Sequence, residues 1–341
     1  MRAPDIQALV EKLSANHPLS AAGTYQLNFI SAAENVYPAR NMEKILQEKF
    51  FIPNDSEFKL ERYLQSAAEL SVQNDLKRNA SLQNFEIDKK VNPPKNVEAY
   101  YEIGSKKISL EVKCPEEEKP DPNSLVIASV GRVPGFFEKA ATMHNVFRNS
   151  PLGHVLETNP NKDNRMKDAL TSANAKFSPM SAEDNLNILF VACGNSASIT
   201  HWWHTLEGSH ELFTDQSYCP PDKFKMVDVV VLSNLKYLHT EARQYHDWTL
   251  ENAFILPCIN PHGRGSLKVD SIAAGLDVFN HHLYRFHEYR PNDPVLIMFK
   301  AGAYCLYQLQ ELEWLRYFPT LPRNKKVLHH REDTGNQKLT S

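Results

Sequence analysis

The residues best placed to do chemistry in this chain lie on one predicted hairpin. Val97, Ala99, Tyr101 and Ile103 alternate with Glu98, Tyr100 and Glu102. After Gly104-Ser105, Ile108, Leu110 and Val112 alternate with Lys107, Ser109, Glu111 and Lys113. Strict alternation on both sides of a two-residue link with glycine first predicts antiparallel strands joined by a type II′ turn. Counting outward from that turn pairs Glu102 with Lys107, Tyr100 with Ser109, Glu98 with Glu111 and Asn96 with Lys113. A slightly longer loop would bring Asn96 opposite Glu111 instead. In the first register the carboxylates of Glu98 and Glu111 face each other, with Lys113 farther along the same face. Directly opposed like charges destabilise a strand pair and push one carboxyl pKa up. A divalent cation between them reverses that sign, and hard oxygen donors suit Mg²⁺, or Mn²⁺. Such an ion can hold a phosphate oxygen and acidify a bound water, while Lys113 orients the water or meets charge developing on the phosphate.

Several elements must position this face. Asn54-Asp55-Ser56 offers N-cap residues, and Glu57–Arg78 then runs without Gly or Pro and ends on Lys77-Arg78, which predicts a helix. Glu69 lies on the same stripe of that helix as Val72 and Leu76, the stripe that should face a sheet; Glu61 is the fallback. Leu82–Val91 alternates like a strand and is stopped by Asn92-Pro93-Pro94. Helices are predicted at Phe136–Arg148 and Arg165–Phe177, and buried strands at Ile188–Cys193 and Val227–Leu232, with a further strand at Ala253–Cys258. Upstream, Asp5–Leu13 and Asn41–Phe50 have helical spacing, separated by a stretch punctuated by Pro and Gly. Beyond Pro261 the pattern is weak, with a helix expected around Tyr304–Phe318.

With its order of helix, strand and hairpin, and with Glu111-Val112-Lys113 on the second hairpin strand, the chain resembles the PD-(D/E)xK nuclease superfamily, which has the restriction-endonuclease-like fold. The resemblance spans about Ser56–Leu232 and rests on short motifs. It implies an α/β fold, a mixed sheet flanked by helices, and Mg²⁺-dependent hydrolysis of DNA, in restriction or defence among other roles. It also implies that Glu111 and Lys113 are the second acid and the lysine of the motif, and that Glu69 is the helix glutamate assisting the metal. The first acid of that family is usually an aspartate, often after proline; here the sequence reads Pro94-Lys95-Asn96-Val97-Glu98. Either Glu98 takes that role with a longer side chain, or Asn96 occupies the position and a charge is missing.

Composition sets outer limits. With 38 Lys+Arg against 41 Asp+Glu, the chain has no global basic excess, so any nucleic-acid surface must be local. Five Cys without a CxxC pair exclude a zinc knuckle and a disulfide framework, and point to buried thiols in a reducing, cytoplasmic setting. No apolar run approaches the length of a membrane span, and the N-terminus lacks a signal-peptide core. The expected organisation is a helical extension over 1–55, a nuclease-like core over 56–260, and a C-terminal elaboration over 261–341 whose tail, from about 328, is mobile.

Other groups have plainer readings. His201-Trp202-Trp203-His204 reads as packing aromatics with peripheral histidines, and Cys193 as a buried thiol. Lys176 and Arg165, on a helix that lines the site in the resembling family, read as solvated, as do Arg264, Lys268 and the other basic residues. Two alternatives to a DNA-cutting enzyme, which could act as a homodimer, stay open. One is a degenerate nuclease fold that binds nucleic acid or protein without cleavage; the other is an interaction protein whose hairpin face is only solvated.

Overall fold

The computed structural model describes residues 3–21, 23–52, 58–79, 81–115, 163–177, 179, 185–207, 211–215, 217–241, 243, 246–251, 253–264 and 275–279. The predicted helices at 136–148 and 304–318, the N-cap residues 54–56, and Lys268 lie outside the described residues.

A six-stranded mixed sheet is built from β1 (Gln83–Asn92), β2 (Lys95–Ile103), β3 (Lys106–Lys113), β4 (Asn185–Ala192), β5 (Val229–Ser233) and β6 (Ile255–Ile259), in that spatial order. The first three form an antiparallel meander, β4 and β5 continue parallel to β3, and β6 closes antiparallel. The turn expected at Gly104-Ser105 forms, with Gly104 at φ 57°, a conformation for which glycine carries no Cβ penalty. Every residue of β4 is buried, as an interior strand covered on both faces requires.

Helices cover both faces. On one side α4 (Leu60–Arg78) lays Ala68, Val72 and Leu76 against Ala99, Ile108, Leu110, Val112 and Phe190. On the other, α5 (Asp163–Asn174) and α6 (Ser196–Glu207) pack Met166, Leu170, Trp202 and Trp203 against Leu189, Val191 and Val230. The aromatics of α6 are core residues, and Cys193, Cys219 and Cys258 are buried, with no disulfide among the described residues. A short α7 (Leu235–Thr240) follows β5. No helix among the described residues is long and apolar enough to cross a membrane.

Three helices precede the sheet: α1 (Ala3–Val10), α2 (Thr24–Val36) and α3 (Met42–Phe50). The second corrects the sequence reading, which left this stretch as punctuation between helices. The breakers fall at its ends: Gly23 stands at the N-cap and Tyr37-Pro38 follows, so they delimit a helix instead of interrupting one. Its Phe29, Ile30, Ala33 and Val36 join Leu46 and Phe50 of α3, Tyr63, Ala67 and Leu70 of α4, and Trp248 in a third apolar cluster. That cluster fixes α3 beside α4, and with it the lysine near the end of α3.

Candidate active site

The hairpin register agrees with the sequence count through Glu102–Lys107, Tyr100–Ser109 and Ala99–Leu110, and there the described pairing stops. Glu98 and Glu111 each lie one position beyond the last pair, where the same register, continued, sets them opposite each other; both strands run past this point, to Lys95 and Lys113. Here α4 adds side-chain partners to the strand backbones. Gln65 donates its amide N–H to the Val112 carbonyl at 3.0 Å and accepts from the Cys114 N–H at 2.7 Å. Gln73 donates to the Glu98 carbonyl at 2.9 Å. Glu69 lies between these two glutamines at helical i, i+4, i+8 spacing, and it accepts a 2.8 Å hydrogen bond from Gln65. One stripe of α4 therefore bonds to β2, bonds to β3, and carries a carboxylate that shares Lys49 with Glu98.

Three acids from three elements converge there, interleaved with three amines. Lys49 of α3 lies 2.8 Å from Glu69 and 4.0 Å from Glu98. Lys176, just past α5, lies 3.5 Å from Glu98 and 2.6 Å from Glu111. Lys113 lies 2.9 Å from Glu111. A buried charge is tolerated only when paired, and the side chain of Glu111 is 0% exposed. Both of its amines meet the same oxygen, Oε1; the other oxygen, Oε2, is buried without a hydrogen-bond partner. Burial first, then the charges of Glu69 and Glu111, push the Glu98 carboxyl from 4.5 up to about 7, against the pull of Lys49 and Lys176. Burial works against the charges of Lys49 and Lys176, yet the facing carboxylates more than offset it and raise both.

The alternatives for the first acid separate cleanly. Asn96 turns to Asp88 of β1, donating a 3.2 Å hydrogen bond, and Glu98 holds the position near Glu111. Glu61, the fallback on α4, pairs instead with Lys236 at 2.7 Å. Two readings of basic residues need correction. Lys176 is not a solvated helix residue: its side chain, just past the end of α5, is 20% exposed and bonded to both acids. Arg264 is neither solvated nor open to phosphate; it is buried against Asp228 and donates to the Asn185 carbonyl at 2.8 Å. Sequence reasoning missed Lys49, Gln65 and Gln73. The two glutamines had a signal in their spacing about Glu69, whereas Lys49 had none of its own.

Chemically, the cluster offers carboxylate oxygens only, one of them orphaned and buried, beside amines that can meet negative charge. Among the described residues no group of three or more His, Cys, Asp or Glu side chains is gathered at metal-holding distances, since amines stand between the acids. The unpartnered Glu111 Oε2 and the hard-oxygen donor set nonetheless fit a divalent cation such as Mg²⁺ or Mn²⁺. Comparison of the chain with protein families, with curated proteins and with solved structures finds no match.

Proposed function

We propose that this chain is a Mg²⁺- or Mn²⁺-dependent phosphodiester hydrolase acting on DNA, with a core of the restriction-endonuclease-like kind. The observation that carries the reading is the convergence of Glu69, Glu98 and Glu111 on shared amines, with Glu111 Oε2 buried and unpartnered. The element order supports it: helix, three-stranded antiparallel meander, helix, and a strand parallel to the third. In this reading Glu98 and Glu111 hold the cation and Glu69 assists. The cation, when bound, lowers the pKa of water and neutralises charge on the phosphate. Lys113 orients the attacking water or meets the charge that grows on the phosphate oxygens. Gln65 and Gln73 tie α4 to β3 and β2 beside the acids. Water adds to phosphorus as one P–O ester bond breaks, leaving a phosphomonoester and an alcohol. Cutting both strands of a duplex would take two such sites, which a homodimer would supply.

A second reading is favoured by the three lysines that already match the three acids: a degenerate nuclease fold that binds nucleic acid or protein without cleavage. Nicking of supercoiled plasmid in Mg²⁺ or Mn²⁺ decides between them. Wild type should nick, and Glu111→Ala and Lys113→Ala should each lose about a hundredfold or more in rate. Nicking unchanged by both substitutions removes the hydrolytic assignment. DNA binding at low salt without any nicking favours the degenerate fold.

A further inference from the structure

Lys176 and Lys113 both bond to Glu111 Oε1, at 2.6 and 2.9 Å, while Oε2 has neither. The two amines therefore crowd one oxygen of Glu111 and leave the other without a partner. The two lysines differ in how they are held. Lys113 is fixed on β3 itself, two residues from Glu111. Lys176 reaches in from just past α5, where the backbone turns on the Ala173 carbonyl, and it also touches Glu98 at 3.5 Å. Its ammonium therefore bridges the same two carboxylates that would share a cation, from a segment outside the sheet.

We infer that Lys176 is an internal counter-ion that occupies the seat between Glu98 and Glu111 and must swing out when a divalent cation enters, so that it sets the cation affinity of the site. This rests on the metal-binding part of the reading above, not on catalysis. An ammonium and a divalent ion cannot both bridge Glu98 Oε1 and Glu111 Oε1, where Lys176 lies, because their charges repel. Displacement exchanges a charge-assisted pair for metal–oxygen bonds, and the lost pair weakens the observed affinity. Charge-assisted hydrogen bonds contribute enough that losing the competitor should tighten binding about tenfold or more.

The test is a Mg²⁺ and Mn²⁺ titration of the full chain without DNA, followed by thermal shift and by calorimetry. Lys176→Met should lower the half-saturating concentration about tenfold relative to wild type. Lys176→Arg should stay near wild type, and Lys44→Met, which makes the same change in net charge at an exposed position of α3, should leave it unaltered. A second readout needs no variant to fold: amine acylation mapped by mass spectrometry should find Lys176 slow to react in chelator and faster in saturating Mg²⁺. Equal midpoints for wild type and Lys176→Met, with binding lost in Glu111→Gln, would overturn the competition and leave the metal seat standing. Lys176 reactivity unmoved by saturating Mg²⁺ would likewise overturn it. Absence of metal binding in both wild type and Lys176→Met would overturn the seat and the competition together.

Discussion

Glu98→Gln should make the protein more stable, the reverse of what removing a buried ion-pair partner usually does. The side chain is only 14% exposed and lies among two acids and two amines. Folding raises its pKa from 4.5 to about 7. An acid whose folded pKa is raised binds more protons in the folded than in the unfolded state between those two values, so stability falls as pH climbs through that window. Below 4.5 the group is protonated in both states and costs nothing; above 7 the full cost is present. The shift corresponds to roughly 3 kcal/mol. Glutamine keeps the shape, cannot ionise, and can donate its amide to the neighbouring carboxylates. The assay is urea unfolding of both proteins in chelator from pH 4.5 to 8. The stability difference should open in favour of the variant as pH rises, to about 3 kcal/mol at pH 8. Parallel pH profiles, or a variant less stable at pH 8, would refute the reasoning and make Glu98 an ordinary partner of Lys49 and Lys176.

Two further outcomes concern the frame around the site. Arg264→Met should cost about 3–5 kcal/mol in chemical unfolding, because Asp228 is left buried and uncompensated; a loss below about 1 kcal/mol would show that the main-chain bonds to Asp228 suffice. In the core, His239 and His246 meet at 3.2 Å between ring nitrogens, hydrogen-bonded to Ser71, with Tyr25, Tyr63 and Trp248 around them and Asp247 and Arg243 nearby. Burial pushes His246 down to about 4, so its contribution is present above its ordinary 6.5 and is lost as pH falls toward 4, by roughly 3 kcal/mol. His246→Gln should flatten that acid limb in urea unfolding, and an equally steep limb would refute the assignment.

What the sequence made legible was local. Alternation about Gly104-Ser105 defined the hairpin and its register, because side-chain direction in a strand follows residue parity. The apolar runs at β4 and β5 were readable because strands covered on both faces have no polar side to disguise them. The ties from α4 to the strands were not readable, since parity within a hairpin says nothing of which helix side chains reach its backbone; here Gln65 and Gln73 do. Lys49 and Lys176 were beyond reach for a related reason. Each meets acids far away in the chain, and a lysine near the end of a helix looks alike whether it faces water or a carboxylate. The helix at Thr24–Val36 was obscured by reading Gly23 and Pro38 as interruptions when they are boundaries.

Through Lys49 the opening helices contribute directly to the charge cluster. A shortened chain starting after α3 would keep the strands and the Glu111–Lys113 pair, yet Glu69 would lose the ammonium it rests against. The apolar flank of α4, with Tyr63, Ala67 and Leu70, would also be stripped bare to solvent. Trimming this protein to its sheet and α4 would therefore alter the charge balance among the three acids in the same cut that removes the covering helices.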